Sequence, residues 1–253
     1  MTRAPDGYRR AMLTAAALVP DTALLVPGVG GRSDALVAGL REAALAAVAE
    51  VLATGPERVA VVAPAARSRS FAGPVRASLA GAGVPDAMLG WVVPGPVDAP
   101  VPAVASAVAV HLLARCGAGS PDEVVEVTGS TPAAQLLRLG AALVADGPTV
   151  LVVVGSLSAR HGPDAPLADD PRAPGLDAAC ARDLADPTPA ARARLAAVEP
   201  EQAAALAVTG WAPWQVLLGA ADGARTDGRL LARAEPAGAA HAVFTWFTAG
   251  AAA

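Results

Sequence analysis

The sequence TVLVVV at residues 149–154 is a run of β-branched and aliphatic residues without a charge. Uninterrupted runs of this kind are typical of strands that are buried on both faces, as in a parallel sheet. Gly155 ends the run, and the proline-rich stretch at residues 155–174 is predicted to be a loop. The sequence therefore predicts a buried central strand whose carboxyl end opens into a long loop.

Further strands and helices are predicted on both sides of this strand in the sequence. Apolar runs predict strands at residues 13–19, 59–63, 87–93, 123–127, 229–234 and 240–247. Helical spacing predicts helices from Ser33 or Asp34 to about residue 53, at 101–116, at 132–145, and in segments up to 219. Because apolar strands alternate with helices, we expect an α/β fold. It is predicted to be a single domain, residues 1–253, with a mixed, mostly parallel central sheet and helices on both faces.

The composition excludes several classes of protein. Of the 253 residues, 54% are hydrophobic and 17% are charged, which excludes a disordered chain. The mean hydropathy is +0.45, but no run of about 18 apolar residues escapes a charge or a proline, so no membrane span is expected. The net charge of −4 and the scattered arginines argue against nucleic acid as a partner. The chain has no lysine, which excludes Schiff-base and Walker A chemistry.

Two interpretations of the N-terminus stay open. Arg9 and Arg10, followed by the apolar residues 11–19, imitate a signal peptide, but a buried first strand has the same pattern, and no cleavage motif precedes Asp21. Residues 1–12 are expected to be disordered. Cys116 and Cys180 have no CxxC spacing, so neither a zinc site nor a disulfide framework is expected, and a cytoplasmic location is predicted.

Candidate site residues lie in the loops predicted at residues 20–31, 64–71 and 155–174, since parallel sheets bind ligands at the carboxyl ends of their strands. Ser156 lacks the G-x-S-x-G pattern of a nucleophile elbow, so a serine hydrolase is not expected. His161 is either a solvated loop residue or a group for proton transfer or anion binding. His111 and His241 are expected to be structural.

Four segments resemble, in the same order along the chain, the class III extradiol ring-cleavage dioxygenase B subunits and the related MEMO proteins. LVPDTALLVP at residues 18–27 is similar to the pattern PHPPLLVP, and residues 155–177 are similar to GDLSHRL-PDAP…FD. Residues 209–220 resemble the helix CGR-P---LL-A, and residues 236–246 align with P-[YF]-G-V-G-Y-x-V-A-x-W. The resemblance implies a mixed α/β fold with a cleft at one edge of the sheet. In active members it also implies Fe(II) bound by two histidines and a carboxylate, and a further histidine that acts as acid/base on a catechol.

This chain departs from the family pattern at the positions that would bind the metal. The family's two metal-binding histidines, its late ligand, and the acid and histidine of GDLSH are all replaced. The residues that stand there are Asp21, then Ala65 and Ala66, then Thr209, and then Ser156 and Ala159. Of these, Asp21 alone is a strong ligand, so we predict that the Fe(II) site has been lost and that no metal or cofactor is bound.

We therefore expect a non-catalytic protein that binds a small molecule or a protein partner. Arg160 favours an anionic small molecule or an acidic group of a partner, and the resemblance to catechol-binding proteins favours an aromatic one. The family also implies self-association, for which the large aromatic residues are either contacts or core. These are Trp211, Trp214, Trp246 and Phe247. The cleft is predicted to comprise Asp21, Ala66, Ser156, Ser158, Arg160, His161 and Thr209.

Two alternatives stay open. An active enzyme of this superfamily would use Asp21 and His161 for metal-free acid/base catalysis, or would cleave catechol rings at a rearranged Fe(II) site. The second route needs His161 to take the place of the histidine missing at Ala159, a displacement of up to ~7 Å. Alternatively, the resemblance extends to the fold alone and the chain is an unrelated α/β enzyme.

Overall fold

The computed structural model describes residues 12–29 and 34–249, whose strands form one seven-stranded sheet. The strands are β1 (Met12–Val19), β2 (Arg58–Pro64), β3 (Arg69–Ala72), β4 (Glu123–Val127), β5 (Pro148–Val154), β6 (Thr226–Ala234) and β7 (His241–Thr248). Their order across the sheet is β3-β4-β2-β5-β1-β7-β6. The predicted disorder of residues 1–12 falls, apart from Met12, outside the described residues, as do Arg9 and Arg10. Of the segment that imitates a signal peptide, residues 12–19 form β1, the buried strand of the second interpretation.

Strand β5 lies at the centre of the sheet, as the run at residues 149–154 predicts. It pairs in parallel with β1 on one side and with β2 on the other, and residues 149–154 are at most 1% exposed. Strand β4 extends the parallel set beyond β2, whereas β3, β7 and β6 join through antiparallel pairs. The predicted α/β fold class with a mixed, mostly parallel sheet is confirmed.

Two layers of helices cover the sheet, one on each face. One core layer contains residues of α1 (Ala35–Leu52) and α2 (Val104–Arg115). The opposite layer contains residues of α3 (Ala133–Leu143), α4 (Ala173–Ala185), α5 (Pro189–Ala196), α6 (Pro200–Ala205) and α7 (Trp211–Ala220). Among the described residues, no helix has the length and apolar character that crossing a membrane requires.

Helices α3 and α7 cross at two glycines. A Cβ atom on Gly140 would lie 1.9 Å from the carbonyl oxygen of Val216, and a Cβ atom on Gly219 would lie 2.0 Å from that of Leu137. Both distances are far below van der Waals contact. The absence of a side chain at these positions therefore allows the two backbones to pack directly on each other.

The prediction of a strand at residues 87–93 is wrong. Residues Asp86–Met88 form a single 3-10 turn, and the chain then continues without regular structure to α2. Gly90 donates its backbone N–H to Pro27 rather than to a sheet neighbour, and Val92 is 91% exposed. The apolar residues of this segment are thus not a buried strand, because Pro85 and Pro94 bracket the segment and remove donors that a ladder needs.

Strand β3 was not predicted, because it lies at the edge of the sheet and is mostly exposed. It pairs antiparallel with β4 and is fixed by an ion pair, in which Arg69 donates through Nε to Glu126 at 2.8 Å. The Glu126 side chain is buried and also accepts from Ser106 Oγ and from the backbone N–H of Ala103. The backbone ladder with β4, the packing of Phe71 on the core and this ion pair together hold the strand, which contains no apolar run.

Of the two roles left open for the large aromatic residues, contact or core, the three tryptophans take the second. Trp211, Trp214 and Trp246 are at most 5% exposed. The indole N–H groups of Trp211 and Trp246 donate to the carbonyls of Val198 and Leu184, each at 2.8 Å. Phe247 is half-buried and packs against the layer of α1 and α2.

Candidate functional site

The carboxyl ends of the four parallel strands meet at one edge of the sheet, and this edge carries the candidate site. Asp21 follows β1, Ala65 follows β2, Gly129 lies just beyond β4, and Ser156 follows β5. Because β7 runs antiparallel to β1, its first residue, His241, belongs to the same edge. The connections after β1, β2 and β5 and the one before β7 therefore bring side chains to this edge, and the connection after β4 brings the backbone of Gly129.

A pocket of about 390 Å³ opens at this edge, here called the edge pocket. Its walls combine the ends of β1, β2 and β4 with α6 and the start of α7. Among the described residues that line it, Asp21 is the sole ionisable one. Thr209 adds a hydroxyl group. The full lining is Asp21, Pro64, Ala65, Gly129, Pro200, Ala203, Ala204, Ala207, Val208, Thr209, Trp211 and Ala212.

Asp21 is held by a hydrogen-bonded chain of three side chains. Ser156 Oγ donates to Asp21 Oδ1, and it lies 2.7 Å from Nδ1 of His241. The backbone N–H of Asp21 also donates to Ser156 Oγ at 3.4 Å. Since an ionised carboxylate only accepts and a hydroxyl has one proton, Ser156 gives that proton to Asp21 and accepts from His241.

This arrangement fixes the tautomer of His241. Its Nδ1 carries the proton that Ser156 accepts, so Nε2 bears the lone pair in the neutral ring. Burial lowers the pKa of His241 below its ordinary value of 6.5, and the charge of Asp21 opposes that shift. The imidazole is therefore neutral at neutral pH, and the chain of side chains carries one negative charge, on Asp21.

Ser156 is positioned by a close approach of two backbones. A Cβ atom on Gly155 would lie 2.3 Å from the Cα of Gly210, so a residue with a side chain does not fit there without a shift. The backbone N–H of Ser156 donates to Thr209 Oγ1 at 2.8 Å, and the N–H of Gly210 donates to the carbonyl of Ser156 at 3.0 Å. The loop after β5 and the start of α7 are thus locked together beside the edge pocket.

The segment that carries Asp21 is anchored from the opposite helix layer. Arg41 of α1 donates through Nε to the carbonyl of Leu25 at 2.7 Å and through Nη2 to that of Leu24 at 2.9 Å. Thr22 caps the 3-10 turn Ala23–Leu25 by accepting from the N–H of Leu24. These bonds fix the backbone directly after Asp21.

His161 belongs to a second cluster, here called the Asp177 cluster. Its Nε2 lies 2.7 Å from Oδ2 of Asp177, a fully buried carboxylate that also accepts from the N–H and the hydroxyl of Ser158. Nδ1 of His161 lies 3.5 Å from Oε2 of Glu235. None of these residues lines the edge pocket. The structure therefore separates His161 from Asp21, with which it was predicted to work, and makes it the partner of a buried carboxylate.

Two other predicted cleft residues also lie away from the edge pocket. Arg160 uses its Nη1 to donate to the carbonyl of Ala168 at 2.9 Å, and its buried Nε has no hydrogen-bond partner among the described residues. Ala66 is exposed, and its neighbour Ala65 lines the pocket instead. Of the seven predicted cleft residues, the structure brings together Asp21, Ser156 and Thr209.

The donor set does not fit Fe(II). The edge pocket offers one carboxylate, from Asp21, and one hydroxyl, from Thr209. Within residues 12–29 and 34–249, no group of three or more His, Cys, Asp or Glu side chains lies close enough to hold a metal ion. Non-haem iron is held by imidazole and carboxylate ligands together, and a hydroxyl is a weak substitute for either.

His241 is the site residue that sequence reasoning missed. It was predicted to be structural, because it begins an apolar strand with no metal-ligand spacing to another histidine. In the observed register Leu18 of β1 pairs with Phe244 of β7, and continuing that ladder by three residues brings His241 beside Asp21. The sequence offers no sign of this pairing, which joins residues 220 positions apart.

Comparison with known proteins supports the fold and does not assign a function. No family model matches the chain, and no curated protein matches it. Among solved structures, it is similar to the uncharacterized protein JW3007 from Escherichia coli K12, with 14% sequence identity and a TM-score of 0.52. The match covers 92% of this chain and 99% of that one. At this level of identity the likeness shows that the two chains share a fold.

Proposed function

We propose that this chain is a class III extradiol dioxygenase-like protein without an iron site, which binds a small, largely apolar molecule in the edge pocket. The observation that carries the proposal is the pocket itself, in which apolar walls surround one anchored carboxylate at the position of a family metal ligand. Pockets with mostly apolar linings and a few placed polar groups are typical of small-molecule sites.

The structure changes the expected chemistry of the ligand. An anionic ligand was predicted on the basis of Arg160. That guanidinium instead donates a hydrogen bond to Ala168 within the 155–174 loop and does not line the edge pocket. The apolar walls favour an aromatic or aliphatic body, as the resemblance to catechol-binding proteins also does. Binding of a protein partner, self-association and a cytoplasmic location stay predictions from the sequence.

Blocking the pocket tests the proposal. Ala204 lines the edge pocket and is exposed on α6, so Ala204→Trp places an indole in the cavity without disturbing the core. Ala205 is the next residue on α6, is also exposed, and does not line the pocket, which makes Ala205→Trp the matched control. Using benzyl alcohol as a neutral probe in ligand-observed NMR, we expect binding by the wild type and Ala205→Trp and its loss in Ala204→Trp. Equal binding by both variants, or none by the wild type, would contradict the proposal.

The iron-dependent alternative has its own test. The protein is purified without chelator, its metal content is measured, and oxygen uptake is followed with protocatechuate-like catechols. We expect substoichiometric iron and no uptake. Stoichiometric iron together with turnover would replace the binding proposal by ring cleavage at a rearranged site.

A second candidate function is metal-free proton transfer, which the Asp21–Ser156–His241 chain favours. Asp21 Oδ2 would take a proton from a carbon next to a carbonyl and return it, while Ser156 and His241 hold the carboxylate in place. The test is solvent deuterium exchange into phenylacetone, which we expect to be lost in Asp21→Asn and unchanged in His161→Asn. If exchange depends on His161 instead, the result would support acid/base catalysis by Asp21 and His161, as predicted from the sequence. If the wild type shows no exchange, proton transfer is refuted and the binding function remains.

A further inference from the structure

We propose that the edge pocket selects an organic ammonium ion, whose positive charge binds to Asp21 while its apolar body fills the cavity. This inference rests on the binding function proposed above and adds to it the charge of the ligand. It reverses the sign of charge expected from Arg160.

The first support is the charge balance of the pocket. Asp21 is the one ionisable residue among the described lining residues, and no arginine stands among them. The two side chains connected to Asp21 are the Ser156 hydroxyl and a neutral imidazole, so neither balances its charge. A bound cation would supply the charge that this part of the protein lacks.

The second support is the hydrogen bonding of the carboxylate. Ser156 occupies Oδ1, and none of the described residues donates to Oδ2. A ligand that fills the pocket strips water from Oδ2, which is costly unless the ligand itself donates a hydrogen bond. An ammonium group donates with a positive charge, an alcohol donates without one, and a carboxylate of the ligand would be repelled.

The third support is that Asp21 cannot turn away. Its Oδ1 is tied to Ser156, its own N–H bonds the same hydroxyl, and the backbone after it is clamped by Arg41. A carboxylate that is held in one orientation loses little conformational entropy on binding. The pocket is therefore preorganised for a donor at one point of its wall.

Three probes of the same shape and different charge test the inference. Benzylamine, which is protonated at neutral pH, benzyl alcohol and benzoate are titrated into the wild type and followed by protein NMR. We expect benzylamine to bind about tenfold more tightly than benzyl alcohol, because hydrogen bonds to charged groups are stronger than neutral ones, and benzoate to bind most weakly. Tighter binding of benzoate than of benzylamine would overturn the inference.

Asp21→Asn supplies the matched variant, since it removes the charge and keeps the acceptor oxygen for Ser156. We expect it to weaken benzylamine about tenfold and to change benzyl alcohol by less than about threefold. Unchanged affinity for benzylamine would also overturn the inference. If this variant does not fold, the wild-type series decides alone.

The two proposals fail in different ways. Binding of benzyl alcohol that Ala204→Trp abolishes, without preference for benzylamine, would leave the binding function standing and refute the ammonium ligand. Absence of binding for all three probes would refute both.

Discussion

At the scale of single residues, the two histidines that matter are tied to carboxylates in different ways. His161 pairs directly with the buried Asp177, whereas His241 reaches Asp21 through the hydroxyl of Ser156. The direct pair stabilises the loop after β5. The indirect one leaves the second oxygen of Asp21 without a bond from the described residues, and for that reason we assign the site to Asp21 and not to the Asp177 cluster.

The buried imidazole of His241 predicts a loss of stability in acid. Because its pKa is lowered by burial, the unfolded chain takes up this proton first as the pH falls below 6.5. Its contribution to stability is therefore complete above pH 6.5 and is lost as the pH falls through the folded-state pKa. His111 has a pKa shifted in the same direction, again chiefly by burial, and acts with the same sign.

We expect His241→Asn to reduce the fall in the free energy of unfolding between pH 7.5 and pH 5, measured by urea denaturation. The Asn amide can still donate to Ser156, so the loss of stability at pH 7.5 should be on the order of 1 kcal/mol. The fall in the free energy of unfolding that remains in the variant is expected to come from His111 and the acidic groups. A wild-type fall that the variant reproduces in full would show that His241 does not titrate as proposed.

Residue positions could be predicted from the sequence where they follow a strand directly. Asp21, Ser156 and Thr209 lie together in the structure, since the first two stand just after parallel strands and the third faces them from the turn before α7. Ser158 and Arg160 lie only a few residues further along, but there the loop turns around Asp177. The direction of side chains in such a loop depends on long-range bonds, and no local pattern encodes them.

At the scale of secondary-structure elements, the sequence predicts best the strands that are buried on both faces. The run at residues 149–154 becomes β5, and the prediction for residues 123–127 coincides with β4. Strand β3 was missed because it is a short, mostly exposed edge strand, and residues 87–93 were overpredicted because apolar residues there are exposed. Apolar patterning predicts the buried strands reliably, and it also finds the partly exposed edge strand β6 at residues 229–234.

The crossing of α3 and α7 gives a prediction about elements. Gly140→Ala places a methyl group on the backbone of α7, and we expect it to destabilise the protein by roughly 2 kcal/mol or more despite the better helix propensity of alanine.

The matched control for that substitution is Gly39→Ala in α1. A Cβ atom there meets nothing within 4 Å, so we expect stabilisation of about 0.5–1 kcal/mol. Both are measured by urea denaturation at neutral pH. Tolerance of Gly140→Ala would mean that the two helices can move apart.

At the scale of the whole molecule, the edge pocket lies at one end of the sheet, and the opposite end does not contribute to it. With saturating benzylamine we expect amide hydrogen exchange to slow at residues 200–212 and 21–24. Residues 54–58 and 144–148 lead into β2 and β5 at the opposite edge of the sheet. They serve as an internal control, and their exchange rates should not change. Uniform slowing across both edges would point to general stabilisation of the fold rather than to binding in the edge pocket.

The clamp of Arg41 on the turn after Asp21 connects the pocket to the layer of α1 and α2, whereas α6 and α7 belong to the opposite layer. A ligand in the edge pocket would thus contact residues positioned by both helix layers, which lie on opposite faces of the sheet. We therefore expect a substitution of Arg41, which does not itself line the edge pocket, to change ligand binding by releasing the turn after Asp21.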